Sequence, residues 1–366
     1  MKTSAGSSQR PSPAPSSSER AALKIKASPH LTAWLHEQKI SLAFTTYQTG
    51  KLFLIGLQPD GQLSVFERSF RRAMGLWSDG QAMWMASLFQ LWRFHNALHE
   101  GEKANESFDR MYVPRVGYTT GAVDAHDIAA DATGSPVFAA TRYSCLATVS
   151  ETHSFKPLWQ PPFISALEPE DRCHLNGLAM RDGKAAYVTT CAETDAAEAW
   201  RDRRVDGGCV IDVQKNQVIC RCLTMPHSPR WHDGRLWMLD SGRGYLGCVD
   251  LKSGRFERVC FCPGYARGLA FQSSYAIVAL SLGREQRSFG DLPLESTLKS
   301  LGTEPVCGLM IIDLRTGQMV HWLVLEGAVR ELYDVTVLPG VRQPLALGFK
   351  TNEIERAIAL EPTDAP

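Results

Sequence analysis

The sequence predicts an all-β fold, a six-bladed β-propeller whose ring is closed by N-terminal strands that complete the last blade. Three observations carry the prediction. Short runs rich in β-branched and aromatic residues are broken by Asp-Gly, Ser-Gly and Thr-Gly pairs, as in QPDGQLSVF (58–66), WHDGRLWML (231–239) and DLRTGQMVHWL (313–323), and each reads as a hairpin. One opening motif recurs six times, at spacings near 50 residues except for a shorter and a longer interval late in the chain. Long helical periodicity is nearly absent. A β-sandwich also has many short strands, but nothing in a sandwich requires one opening six times over.

The elements follow in order. Residues 1–22 are rich in Ser, Pro and Ala and cannot bury enough apolar surface to offset chain entropy, so a disordered tail is expected. Residues 23–39 make a short helical lead-in, with its helical stretch near 29–38. A single propeller domain is expected over 40–355, and 356–366 is a C-terminal tail. The openings are AMGLWSDGQAMWMAS from Ala73, AHDIAADATGSPVFAAT from Ala125, LNGLAMRDGKAAYVTTC from Leu175, SPRWHDGRLWMLDSG from Ser228, ARGLAFQSSYAIVALS from Ala266 and YDVTVLPGVRQPLALGF from Tyr333. Each is an apolar strand, a turn and a second apolar strand. Too little chain follows the last opening for two more strands, so KLFLIGLQPDGQLSVFERSF (51–70) is expected to complete that blade. SLAFTTY (41–47) competes for one strand position in it. Two long polar insertions, 192–208 and 283–305, follow second strands and project on the channel-mouth face; the second holds a further helical stretch, 292–301.

Composition excludes several classes of function. No stretch approaches the roughly 20 apolar residues of a membrane-spanning helix. The first 20 residues lack the apolar core of a secretory signal. Thirty-nine basic and 39 acidic side chains cancel, so no global field would hold a nucleic acid. The ten cysteines include no C-x-x-C pair, and without an export signal they read as reduced, buried thiols of a cytoplasmic protein. Cys220/Cys222 and Cys260/Cys262 are each two apart in strand-like runs and are expected to share a core face.

The chemistry is expected where the six openings converge on the channel mouth. Histidines 126, 174 and 227 all fall there, and histidine is both the common transition-metal ligand and the side chain that titrates near neutrality. His126, His227 and Asp334 would give a divalent metal three protein ligands and an open water position. Arg267 would hold a carboxylate or phosphate, or an oxyanion. Without a metal, His126 with Asp127 or His227 would act as acid and base. Arg142, Tyr143, His174, Asn176, Arg243 and Arg284 complete the expected substrate-binding set. Bland roles compete: Asp127 as an interstrand fastener, Arg230 and Arg243 paired with Asp233, Asp240 or Asp250, and the tryptophans at 77, 84, 92, 231 and 237 as inter-blade packing, with Trp77 and Trp231 near enough to the openings to stack on a ligand. The leading expectation is an enzyme acting on a small polar, anionic molecule, as a metal-assisted hydrolase, lyase or isomerase. The alternative is a non-catalytic propeller that binds a protein or carbohydrate through 192–208 and 283–305.

LAFTTYQTGKLFLIG (42–56), AMGLW (73–77), DAHDIA (124–129), HLNGLAM (174–180), PHSPRWHDGRLWMLDSGRG (226–244), ARGLAF (266–271) and LYDVTVL (332–338) together resemble a bacterial conserved-hypothetical propeller family classed as a domain of unknown function. That resemblance covers about 40–350, implies a propeller and adds no activity. A more distant similarity is to gluconolactonase- and regucalcin-like six-bladed propellers, whose channel metal is held by one Glu, two Asn and one Asp. Asn176 sits in a comparable NGL setting, but the other slots carry Met74, His126, Ser228 and Arg267. The departure points away from that calcium site and toward histidine chemistry or none.

Overall fold

The computed structural model describes residues 22–283 and 292–361. Among these the strands form six antiparallel-built sheets arranged as a propeller. From the channel outward, the first blade is Leu76–Ser78, Ala82–Ala86, Gln90–Asn96 and Arg110–Thr119. The second is Ala125–Ala130, Pro136–Ala140, Cys145–Thr148 and Lys156–Trp159. The third is Leu175–Arg181, Lys184–Thr190, Gly208–Asp212 and Gln217–Leu223. The fourth is Pro226–His232, Arg235–Asp240, Tyr245–Asp250 and Arg255–Phe261. The fifth is Tyr265–Gln272, Tyr275–Ser281, Gly308–Asp313 and Gln318–Glu326. In every blade the second strand is apolar through most of its length because neighbouring blades cover both its faces.

The sixth blade closes the ring. Its inner strand, Val335–Pro339, comes from the C-terminal part of the chain and pairs with Ile40–Thr46, Phe44 opposite Val335 and Ile40 opposite Pro339. Lys51–Leu57 and Leu63–Ser69 follow outward. The segment 41–47 therefore takes the second position, and 51–70 takes the third and fourth. Ile40–Thr46 is buried at all seven residues, which an outer strand would not be. With that slot filled, Pro344–Ala346 is not a second strand of the sixth blade. It lies parallel to Arg110–Thr119 on the outer edge of the first blade. The lead-in also holds a strand, Lys24–Ala27, on the outer edge of the fifth blade, and the helix Leu31–Gln38 that covers the core with Leu31, Trp34 and Leu35. The two added strands, Lys24–Ala27 and Pro344–Ala346, cover edges that would otherwise present unpaired backbone groups.

Trp84 and Trp237 are buried between blades, as inter-blade packing requires. All ten cysteines are free thiols. Cys220 is buried, but Cys222 is exposed, because the ladder shifts register between Gly208 and Ile211 and Cys222 adopts φ +61°. A bulge breaks the two-residue alternation that would have put the pair on one face. Among the described residues no helix is long and apolar enough to cross a membrane.

Inner strands of adjacent blades approach so closely that there is little room for side chains between them. A Cβ on Gly268 would lie 2.7 Å from the Val335 nitrogen and 2.8 Å from the Asp334 Cα. Gly268→Ala is expected to destabilise the protein by about 1–3 kcal/mol, read as a lower urea midpoint at unchanged slope.

Candidate functional site at the channel mouth

Aligning the inner strands places their residues in successive rings around the channel. Met74, His126, Asn176, Ser228, Arg267 and Tyr333 form the first ring, at the mouth. Gly75, Asp127, Gly177, Pro229, Gly268 and Asp334 form the second, and Leu76, Ile128, Leu178, Arg230, Leu269 and Val335 the third. Three blades thus read Gly-Leu across the last two rings. The departures, Asp127, Asp334 and Arg230, meet one another.

Arg230 reaches across the channel. Its Nη1 donates to Asp127 Oδ2 at 2.7 Å and to the carbonyls of Leu178 and Pro229 at 2.9 Å. Its Nη2 donates to Asp127 Oδ1 at 3.1 Å and stands 3.6 Å from Asp334 Oδ1, and its Nε donates to the Leu269 carbonyl at 3.1 Å. Asp127 accepts the Ile128 and Leu178 N–H groups; Asp334 accepts those of Val335 and Leu76. One guanidinium and two carboxylates therefore tie together all six blades and plug the channel. Burial, with the charge of Asp127, raises the Asp334 carboxyl to about 7 against the pull of Arg230.

This corrects two expectations. Asp334 spends both oxygens on backbone N–H groups and faces Arg230, so it does not join His126 and His227 as a metal ligand. Among the described residues no group of three His, Cys, Asp or Glu side chains could hold a metal ion. Arg230 pairs not with Asp233, Asp240 or Asp250 but with the two carboxylates of the second ring. Below the plug the channel widens into a funnel of about 380 Å³ lined by Trp77, Met180, Trp231 and Phe271 among others. Trp77 and Trp231 belong to that far end and not to the mouth.

The three mouth histidines share one pattern. His126 Nδ1 bonds the Asp124 carbonyl at 2.9 Å, His227 Nδ1 the Met225 carbonyl at 2.8 Å, and His174 Nδ1 the Asp171 carboxylate at 2.8 and 3.1 Å. Carbonyls and carboxylates only accept, so each Nδ1 carries the hydrogen, and the ring nitrogen left for a ligand is Nε2. No hydrogen bond among the described residues reaches any of the three Nε2 atoms. Burial lowers His126 to about 4, partly offset by Asp124, and burial with the nearby Arg267 charge holds His227 well below the ordinary imidazole value. The His126 and His174 rings meet edge to face at 4.8 Å, and His126 stands 5.7 Å from Tyr333.

Arg267 is 8% exposed, pairs with Glu331 at 3.0 Å and lies 5.2–5.3 Å over the rings of Tyr265 and Tyr333. Burial opposes its charge and Glu331 supports it, with the balance toward the charged form. Tyr333 is 5% exposed, and its hydroxyl has no hydrogen-bond partner among the described residues; burial keeps it protonated. It stacks on Tyr47 at 5.6 Å, which in turn carries Arg72, the partner of Asp124.

Other expected residues divide. Arg142 lies beside the mouth and lines a cavity of about 480 Å³ with Arg72, Arg201, Asp124 and Asp171. Asn176 is in the first ring, but its carboxamide is held by the Thr189 hydroxyl and Cys191 Sγ. Tyr143 packs edge to face on Phe155 at 5.1 Å within an apolar cluster, and Arg243 is tied to Asp240 and the Cys222 carbonyl. Arg284 lies outside the described residues. Asp124, Asp171 and Trp200 were not expected. Their signal in sequence is slight: an Asp two or three residues before each of two histidines, and a lone Trp in a polar insertion.

The family model described as a domain of unknown function (DUF4915) matches residues 29–347. No curated protein matches the chain. Among solved structures, a chain of a nidogen/laminin complex superposes with a TM-score of 0.51 at 13% identity, covering 82% of this chain and 99% of that one. Virginiamycin B lyase from Staphylococcus aureus, a catalytically inactive variant with quinupristin, gives a TM-score of 0.39 at 10% identity, covering 83% and 100%. At such identities the likeness to the first is one of fold alone.

Proposed function

This chain belongs to the DUF4915 family, and we propose that its channel mouth is the active site of an enzyme that moves a proton on a small polar, anionic molecule, as a lyase or isomerase does. The observation that carries this reading is the repeated histidine arrangement: three rings oriented through Nδ1, leaving three Nε2 atoms at one mouth. A histidine that only stabilises the fold has no need for that arrangement three times over. His126 and His174, in contact, serve as the base pair of the site: one Nε2 takes the substrate proton as the C–H or O–H bond breaks. The electron pair left behind moves onto a substrate oxygen, where the Tyr333 hydroxyl and the Arg267 guanidinium stabilise the developing charge. The proton returns to a neighbouring atom in an isomerisation, or goes to the leaving group in an elimination. Arg142 is placed to take a carboxylate or phosphate at the edge of the mouth.

The test begins with a thermal-shift screen of hydroxy acids, lactones and sugar phosphates, followed by deuterium wash-in from heavy water into any compound that raises Tm. His126→Gln is expected to slow wash-in at least about 100-fold, and Tyr333→Phe to slow it with little change in Kd. Binding and exchange unaffected by both substitutions would remove the reading.

A further inference from the structure

The insertions after the third and fifth blades' second strands meet over the mouth. The first carries the short helix Ala199–Arg203, and the described part of the second carries the helix Pro293–Leu301. Trp200, Met225, Tyr265, Leu292, Leu294 and Leu298 are buried in one apolar cluster, so residues from both insertions form a joint roof that spans the fourth blade. The Leu294 N–H donates to the Gly242 carbonyl of that blade at 2.8 Å, which fixes the second helix to it.

Within this cluster Tyr265 meets the His227 ring at 5.7 Å, and Trp200 is the insertion residue that meets a mouth histidine. Trp200 stacks on the His174 ring at 4.1 Å with an interplanar angle of 27°. Its indole Nε1–H donates at 3.0 Å to Asp171 Oδ2, the same oxygen that accepts His174 Nδ1 at 2.8 Å. His174 thus differs from the other two histidines, whose Nδ1 hydrogen bonds end on backbone carbonyls, the Asp124 carboxylate standing off His126 Nδ1 at 3.7 Å. A carboxylate partner stabilises the positive ring that forms when Nε2 takes a proton, which a neutral carbonyl does only weakly. The backbone supports a functional reading as well. Asp171 has φ +48° and His174 has φ +52°, two left-handed non-glycine residues three apart. Such strain persists only where the surroundings over-determine it, and it clusters at functional sites.

We infer that Asp171 and Trp200 are positioning residues for His174, and that the shared roof of the two insertions holds this relay in place. The inference rests on the proton-transfer reading of the mouth and singles out His174 as the ring prepared to receive the proton. Trp200 orients the carboxylate, Asp171 orients and polarises the imidazole, and the leucines hold Trp200 down.

The experiment needs no substrate, so its outcome is separable from that of the activity screen. Imidazole Nδ1–H resonances are recorded by proton NMR on the full chain labelled at histidine with nitrogen-15, and the His174 signal is assigned by its loss in His174→Gln. The wild type is expected to show a strongly low-field His174 Nδ1–H protected from exchange with water. Asp171→Asn should move it upfield or abolish it. Trp200→Phe, which keeps a ring over His174 but no indole N–H, should speed its exchange about tenfold, an opening cost of about 1.4 kcal/mol. Leu298→Ala should speed it in the same sense without a substitution at the mouth. The His126 Nδ1–H, which donates to the Asp124 carbonyl outside the roof's apolar cluster, should keep its slow exchange and report that the mouth remains folded. An unchanged His174 resonance in Asp171→Asn and Trp200→Phe would overturn the relay, and unchanged exchange in Leu298→Ala would overturn the part assigned to the roof.

Discussion

Arg230→Leu is expected to destabilise the protein by about 3–5 kcal/mol, the cost of breaking a buried ion pair by removing one partner. The guanidinium is the sole cation facing Asp127 and Asp334 among the contacts described above, and both carboxylates are almost fully buried, at 2% and 3% exposure. Leucine leaves two buried carboxylates without a countercharge and frees the carbonyls of Leu178 and Leu269 that the guanidinium had bridged. The loss is expected to come from the charges rather than the shape, because three other blades place leucine at the equivalent position. The variant Arg230→Leu with Asp127→Gly and Asp334→Gly writes the Gly-Leu pair of those blades into the second, fourth and sixth, apart from Pro229, Ile128 and Val335. It should recover at least half of the loss in urea unfolding at pH 7. A single Arg230→Leu variant that loses less than about 1 kcal/mol would show that the plug is worth no more than a surface pair.

The plug also marks where sequence reading stops. Hairpins, the sixfold repeat and ring closure follow from two-residue alternation and from turns, which are local, and the six sheets bear them out. Asp127 and Arg230 meet across 103 residues, and no local pattern signals that. Asp334 looked like a metal ligand because an acid beside two histidines has that composition; one of its backbone N–H partners, Leu76, is supplied by how the first blade meets the sixth, while the other is the neighbouring Val335. The histidines were legible because they sit at repeated positions. Asp171 and Trp200 were not, since the roof belongs to insertions that the repeat does not govern. Likewise SLAFTTY could be placed only by which segment buries both faces, and Pro344–Ala346 only by the slot that SLAFTTY had already filled.

The second large effect is acid sensitivity carried by the mouth histidines. His126 has an ordinary value of 6.5 in the unfolded chain and about 4 when buried in the fold, and His227 is shifted in the same direction by burial and Arg267. Between these limits the unfolded state binds more protons than the folded one, so stability falls as pH drops from about 6.5 toward 4. Each unit of the window is worth about 1.4 kcal/mol, and acidification from pH 7.5 to 4.5 should therefore remove about 2–3 kcal/mol through His126. Asp334 acts the other way. Its folded value of about 7 lies above the unfolded 3.8, so the folded state takes up its proton first and gains stability over much of the same range. The net curve mixes these terms, and the diagnostic quantity is a difference between proteins. His126→Gln, which removes the titrating ring, should lose about 2–3 kcal/mol less than the wild type between pH 7.5 and 4.5 in urea unfolding. His227→Gln should shift the comparison in the same direction. Equal losses in wild type and both variants would mean that the rings take up protons in the folded state as readily as in the unfolded chain, and that the mouth is wetter than its burial implies. Neutral rings at physiological pH are what the proton-transfer reading requires, because only a neutral imidazole has an Nε2 lone pair to offer.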